Sequence, residues 1–370
     1  MEKLNKLTSH SLFLPLFALS ILLFFNAVFV KDFFLIEMTD DGRLYGRLVD
    51  ILNRSSSLII LSLGMTFVIA TSGIDISVGS IIAISSAVCC TMLGGAGNGT
   101  AANPFIIAMG CAVLAGVLAG SWNGLLVSKF KIQPVVATLI LMTAGRGIAQ
   151  LLTEGQIITV YYKPFSYIGG TIPGSMLPTT IFIALAMVLL VYIVNKKTSV
   201  GLFIQSVGIN PTASRFAGIK VNHVIFLVYA FSGFCAGVSG LIEGSLIRAA
   251  DANNAGLNME MDAILAVALG GTLLSGGKFN IGGSVIGAIT IQTLTTTMYA
   301  FGVASDQLPV IKAIVVVILC LVQSEHFRVI WSNWKNKNKS IKDQTEHITT
   351  GTHNLLQDKN VLDQQGGNKA

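Results

Sequence analysis

The residue with the clearest chemical potential is Asp75, a carboxylate that lies between Gly73 and Gly79. Apolar runs flank it over 55–73 and 76–93. A central Asp costs roughly 3 kcal/mol on membrane-insertion scales. A broken helix is tolerated in a bilayer only where it is buried in protein or lines a cavity. We therefore predict a membrane protein with a helix break at the two glycines, where Asp75 either caps the following helix or serves as a gate or substrate contact.

Four further polar residues lie in or next to apolar runs and are candidates to line the same pathway. Buried interhelical hydrogen bonds would explain Asn123 and Thr138 as well as substrate contacts would. Arg146 could serve in gating or substrate contact. It could also have a structural role, either in an ion pair or with its charge extended to the membrane surface. Asp262 opens a short apolar run, where it could also cap a helix.

The sequence contains no pattern typical of a metal or nucleotide site. The five cysteines fall in apolar runs without metal-ligand spacing. A phosphate-binding loop needs G-x-x-x-x-G-K-[ST], which is absent. Residues 274–278 superficially resemble the ABC ATPase signature, but we interpret them as a tight glycine turn. We expect no cofactor, no metal and no enzymatic activity in this chain.

Composition and periodicity predict an all-α, polytopic integral membrane protein with about ten transmembrane helices. Of its 370 residues, 52% are hydrophobic and 11% are charged, against about 25% charged in soluble domains. The eighth span is short and glycine-rich, so we expect it to be bent or re-entrant. The predicted spans are 11–30, 55–73, 76–93, 105–127, 134–152, 178–195, 223–246, 259–273, 281–302 and 308–325.

The distribution of Lys and Arg predicts that both termini are cytoplasmic, because basic residues concentrate in alternate loops and after the last span. The same distribution explains the net charge of +6 without a nucleic-acid partner. We predict a cytoplasmic N-terminus over 1–10, a transmembrane domain over 11–325, and a polar, disordered cytoplasmic tail over 326–370.

A short cytoplasmic helix is predicted at about 210–218. Asn210 is a typical N-cap, Pro211 suits the first helical position, and Gly218 is placed as a terminator. Arg215 would lie on this helix between two spans. It either contacts a partner protein or belongs to a solvated face of the helix.

Four stretches together resemble one family. The first is G-x-N-P-x-A-x-R-x-x-G-I over 208–219, and the second is GMTFVI with SGIDISVGS over 64–80. The third is IQPVVATL over 132–139 with Arg146 and Gly147, and the fourth is DAILAV over 262–267 with the glycines from Gly270 to Gly287. The pattern resembles permeases of bacterial ABC transporters of the ribose, xylose, arabinose and galactofuranose branch. Residues 250–267 are most similar to the galactofuranose type.

The resemblance implies a permease subunit of an ATP-driven ABC importer that moves a monosaccharide across the bacterial inner membrane. Galactofuranose is favoured, with ribose or another pentose or hexose possible. The implied partners are an ABC ATPase that uses the ATP, a second permease copy or paralogue, a periplasmic sugar-binding protein and membrane lipid. Asn210, Arg215 and Gly218 would then belong to the ATPase-coupling helix.

The alternative is an ion-coupled secondary transporter, in which Asp75 and Glu243 would be coupling carboxylates.

Overall fold

The computed structural model describes residues 12–39, 42–94 and 101–323. The described residues up to Val316 form one compact unit, and those beyond it complete the last helix. The described helices are α1 Phe13–Phe29, α2 Arg47–Ala70, α3 Val78–Leu93, α4 Phe105–Ser128, α5 Pro134–Leu152, α6 Lys163–Gly169, α7 Thr179–Lys197, α8 Val200–Ile209, α9 Pro211–Phe216, α10 Val221–Ile247, α11 Met259–Leu269, α12 Ile281–Ala300 and α13 Leu308–Gln323. The predicted N-terminus over 1–10 and the tail over 326–370 lie outside the described residues.

The predicted helical membrane fold is confirmed. Each of the ten predicted spans coincides with a helix, and five helices are long and apolar enough to cross a membrane. These five are α2, α4, α5, α7 and α10. The eighth predicted span is α11, which has only 11 residues. At 1.5 Å per residue it is about half as long as the hydrocarbon core is thick. The exact number of spans remains a prediction.

The second span differs from its prediction, because α2 runs from Arg47 to Ala70 and not over 55–73. Half of the residues in its first two turns are polar, and an ion pair between Asp50 and Arg54 stabilises these turns at 3.1 Å. Hydropathy does not detect such turns. They follow a hairpin of β1 Ile36–Met38 and β2 Leu44–Gly46. A second short pair joins β3 Ile158–Thr159 to β4 Ala249–Ala250.

Helix α2 is the centre of the bundle. Every residue from Ser55 to Ala70 is buried, and α7, α10, α11 and α12 pack against this helix. A helix that is apolar on all sides must be surrounded by other helices or lipid. Here the surroundings are protein, so the break at its end is formed inside the bundle.

Close backbone packing joins α4 to α10. A Cβ on Gly120 would lie 2.7 Å from the Cα of Gly233, and one on Gly116 would lie 2.8 Å from the Cα of Gly237. Small residues at four-residue spacing let two helices approach at this distance. This contact holds α10 against the outer helix α4.

The outer helices expose their apolar side chains. Ile106 is 78% exposed on α4 and Leu151 is 80% exposed on α5. Contiguous apolar faces of this kind are unfavourable in water and match a lipid environment.

The bundle has two ends that the topology defines. The end that carries α8 and α9 is called the α9 end. The end that carries the β3–β4 pair and the N-terminus of α2 is called the outer end.

Topology can be tested by labelling two exposed positions, one at each end. We expect Ala102→Cys to react with a membrane-impermeant thiol reagent on intact cells, and Phe216→Cys to react only after the membrane is opened, because the basic residues favour a cytoplasmic α9 end. Mass-shift labelling reports both. Reaction of Phe216→Cys from outside would overturn the orientation.

Candidate functional site

The helix break lies over residues 71–77, between the end of α2 and the start of α3. Ser72 takes the left-handed conformation with φ +61°, and the Gly73 N–H donates to the Val68 carbonyl at 3.0 Å. Gly73 therefore lies in the break as predicted. The prediction that Gly79 also forms the break is wrong, because Gly79 lies in the first turn of α3.

Both glycines are needed for close packing and not for an unusual backbone conformation, since neither has a positive φ. A Cβ on Gly79 would lie 2.5 Å from the Gly256 carbonyl oxygen and would also overlap the Glu260 carboxylate. A Cβ on Gly73 would lie 2.5 Å from the Tyr229 hydroxyl. Alanine at either position would therefore require its neighbours to move.

Asp75 is fully buried and holds the break to α10. Its Oδ1 accepts hydrogen bonds from the Ser77 backbone N–H at 3.1 Å and the Ser77 hydroxyl at 2.6 Å. Its Oδ2 accepts one from the Ser232 hydroxyl on α10 at 2.9 Å. The Asn123 amide on α4 donates to Ser77 Oγ at 2.8 Å. Asp75 therefore links the residue that precedes α3 to α10, and α4 joins this network through Ser77.

Thr138 joins the same region from α5. Its hydroxyl lies 3.4 Å from the Ile74 carbonyl oxygen and 3.0 Å from that of Pro134. Asn123 and Thr138 are also fully buried. Their bonds match the interhelical alternative, and a substrate would reach them only if this network opened.

The other two predicted pathway residues lie elsewhere. The Arg146 guanidinium donates to the carbonyls of Ala252 and Ala255 at 3.0 and 2.7 Å, so it holds the loop that precedes α11. Asp262 accepts a hydrogen bond from Lys312 of α13 at 2.8 Å, in an ion pair. The five predicted pathway residues therefore occupy three places and not one.

A second set of contacts ties the break to the α9 end. The Ser72 hydroxyl lies 3.1 Å from the Gly208 carbonyl oxygen and 2.9 Å from that of Ser275. The Gly277 N–H donates to the Ala70 carbonyl at 2.9 Å. The last carbonyls of a helix have no partner within it, and these bonds satisfy the ends of α2 and α8. We call this set the Ser72 junction.

The junction explains the glycine turn predicted at 274–278. Gly276 and Gly277 have φ of +88° and +90°, a region that favours glycine. A Cβ on Gly276 would also overlap the Ser72 hydroxyl. The turn therefore holds the end of α2. This structural role accounts for its glycines, and the likeness to an ATPase signature is not needed to explain them.

Helix α9 follows the junction directly. The Asn210 side chain accepts a hydrogen bond from the Ala213 N–H at 2.9 Å, which is the predicted cap. Gly218 ends the helix with φ +85°. Arg215 is exposed, and the Phe216 side chain is 89% exposed. A cationic and an aromatic side chain thus project side by side from a short, rigid helix.

A second cation lies near Arg215 of α9. Partial burial and the nearby Arg215 guanidinium lower the pKa of Lys131, whose ammonium group donates to the Asn222 side chain at 2.7 Å. This face suits an acidic partner surface.

Sequence reasoning missed four residues that the geometry makes important. Ser72, Ser77 and Ser232 are short polar residues in apolar surroundings, a signal that is common in membrane helices. Lys312 was the better signal, because a lone cation inside an apolar run needs a partner.

A stability comparison tests the packing at the break. Gly79→Ala and Gly73→Ala should each lower the free energy of unfolding by about 2 kcal/mol through overpacking. Asp75→Asn should cost less, because its oxygen can keep the Ser77 bonds while its amide donates to Ser232. Thermal unfolding of the purified protein measures all three.

Two further variants make this comparison decisive. Asp75→Leu should destabilise strongly, since it leaves the buried Ser77 donors unsatisfied. Gly110→Ala is the matched glycine control, because a Cβ there meets no atom within 4 Å. Equal stability of Gly79→Ala and Gly110→Ala would contradict the packing argument.

Comparison with known proteins identifies the family to which this chain is similar. A family model described as "Branched-chain amino acid transport system / permease component" matches residues 47–323. The chain is 43% identical to the galactofuranose transporter permease protein YtfT of Escherichia coli over 88% of this chain and 93% of that protein. It is 36% identical to the fructose import permease protein FruF of Bifidobacterium longum, over 93% and 96% of the two chains.

A third relative is the ribose import permease protein RbsC of Bacillus subtilis, which is 38% identical over 71% of this chain and 80% of its own. No solved structure matches. The extent of the family match and of these similarities shows that the chain belongs to this family of transport permease components.

Proposed function

We propose that this chain is the membrane-spanning subunit of an ATP-driven importer of a monosaccharide, with a galactofuranose-type sugar favoured. Its relatives are named as permeases for galactofuranose, fructose and ribose. The identity to the galactofuranose permease is the highest of these three, and the match covers 88% of this chain. The protein is a multi-pass protein of the bacterial inner membrane, and we propose that both termini are cytoplasmic.

The observation that carries the proposal is the hydrogen-bonded link between the helix break and the end of α8, which leads directly into α9. A partner that moved α9 would also move the end of α8. The Gly208 carbonyl at this end accepts a hydrogen bond from the Ser72 hydroxyl in the helix break. Three residues further along, Asp75 holds α3 and α10 together. Mechanical force at the α9 end therefore has a short covalent and hydrogen-bonded route to the centre of the bundle.

The chemistry of α9 favours a protein partner. Phe216 is a large apolar side chain that would be costly to leave in water, and Arg215 lies next to it. Aromatic residues and Arg are enriched at the centres of protein interfaces. We propose that these two side chains dock on an ABC ATPase, which would supply the energy, while a sugar-binding protein and a second permease copy or paralogue complete the importer.

Sugar uptake tests the proposed function. Cells that express the importer should accumulate labelled galactose, ribose or fructose, with one sugar preferred. Arg215→Glu should abolish uptake and weaken co-purification of the ATPase, because charge reversal at a docking surface costs several kcal/mol. Lys197→Glu is the matched control, since it reverses an exposed charge outside α9 and should retain uptake.

Two results would contradict this proposal. Uptake in ATP-free vesicles driven by an ion gradient would favour the secondary transporter. Unchanged uptake and ATPase recovery in Arg215→Glu would remove Arg215 from the interface.

The Ser72 junction gives a separate prediction about coupling. Ser72→Ala and Ser72→Gly both remove the hydroxyl, but only glycine tolerates φ +61° without strain. Both should lower the sugar moved per ATP hydrolysed about fivefold, because losing one hydrogen bond costs about 1 kcal/mol. Ser206→Ala is the control, as its hydroxyl bonds only within α8, to the Leu202 carbonyl.

The measurement is the ratio of sugar uptake to ATP hydrolysis in proteoliposomes with the whole importer. If Ser72→Gly couples normally while Ser72→Ala does not, backbone strain and not the hydroxyl bond explains the effect.

A further inference from the structure

A second polar region lies at the outer end, away from the Asp75 network. It is a cavity of about 520 Å³ between α2, α10, α11, α12 and α13, and we call it the outer cavity. Its size falls in the range of small-molecule sites, about 300–1,000 Å³. Asp262, one of the predicted pathway residues, is part of its wall.

Charges of both signs face the outer cavity. The Asp262–Lys312 ion pair joins α11 to α13 with side chains that are only 19% and 14% exposed. Asp50 and Arg54 form a second pair on α2, and the Glu243 carboxylate of α10 is also part of the wall. Three carboxylates and two cations nearly balance, so the cavity has no strong preference for an anion or a cation.

The uncharged lining suits a hydroxylated ring. α12 contributes Gln292, Thr296 and Tyr299, which can donate and accept hydrogen bonds. Leu58 and Met259 add apolar surface on the other helices. A sugar has the same mixture, with hydroxyl groups around its edge and C–H groups on its faces.

We propose that the outer cavity is a monosaccharide-binding site within a single copy of the chain, on the route of the sugar to the helix break. This inference rests on the proposed function and deepens it. Neutral hydroxyl groups can bond both members of the Asp262–Lys312 pair without separating charge. The pair also links two of the helices that enclose the site, so a sugar that bonds it would bias the position of α13 against α11.

Thiol modification tests the site in cells that carry the complete importer. Thr296→Cys should be modified by a membrane-impermeant methanethiosulfonate from outside, with loss of uptake. The transported sugar, supplied as galactose, ribose or fructose, should slow this modification roughly tenfold, as expected for a cavity occupied by substrate. Ala300→Cys is the matched control, on the same helix and at the same end but outside the wall. It should be modified without loss of uptake or sugar protection.

Sugar selectivity gives a second readout. A loss of folding would lower the uptake of all sugars together and would leave their ratio unchanged. Gln292→Ala and Lys312→Met should change the ratio of uptake among the three sugars, because a site that hydrogen-bonds a hydroxyl discriminates by it. Loss of uptake of every sugar in the unmodified protein would refute the proposed function. Normal uptake by the parent, with no sugar protection at Thr296→Cys and unchanged ratios in both variants, would refute the outer cavity alone.

Discussion

The burial of one carboxylate is the constraint on which the rest of the bundle depends. An unpaired charge in a medium of low dielectric constant is so costly that a buried carboxyl must be hydrogen-bonded or neutral. The three donors from Ser77 and Ser232 satisfy Asp75, and they can do so only if α3 begins at residue 78 and α10 passes within 3 Å. The helix break, the position of α3 and the glycine contacts that bring α4 to α10 therefore all serve to place hydrogen-bond donors around Asp75.

The break is held from two sides that differ in strength. Towards the centre, Asp75 lies in a buried network with low competition from water, where hydrogen bonds are strongest. Towards the α9 end, Ser72 is exposed and bonds only backbone carbonyls. The weaker side faces the surface on which a partner would act, and the stronger side lies at the core. This gradient suits a device that must move at one end and keep its fold at the other.

Sequence alone predicted the elements well and the contacts unevenly. Apolar runs located each of the ten proposed spans, and Asn210, Pro211 and Gly218 located α9, because capping and backbone preferences are local. The start of α2 at Arg47 was missed since its polar turns do not register as a span. The separation of Asp75, Arg146 and Asp262 into three places could not be predicted, because it depends on which helices are neighbours, and no local pattern records that. Gly79 was assigned to the break from its type, whereas only the packing of Glu260 and Gly256 shows why a glycine is needed there.

The Ser72 hydroxyl carries one proton but lies within reach of two carbonyl oxygens, those of Gly208 and Ser275. It can fully satisfy only one of them at a time. If α8 shifts, the O–H can turn towards the Ser275 carbonyl, and if the glycine turn shifts, the O–H can stay on the Gly208 carbonyl. The hydroxyl therefore keeps one hydrogen bond when either neighbour shifts, and the two segments share it as a common donor. Such an exchange lowers the energy barrier to small shifts of α8 or of the glycine turn. The end of α2 stays hydrogen-bonded to a neighbour during these shifts.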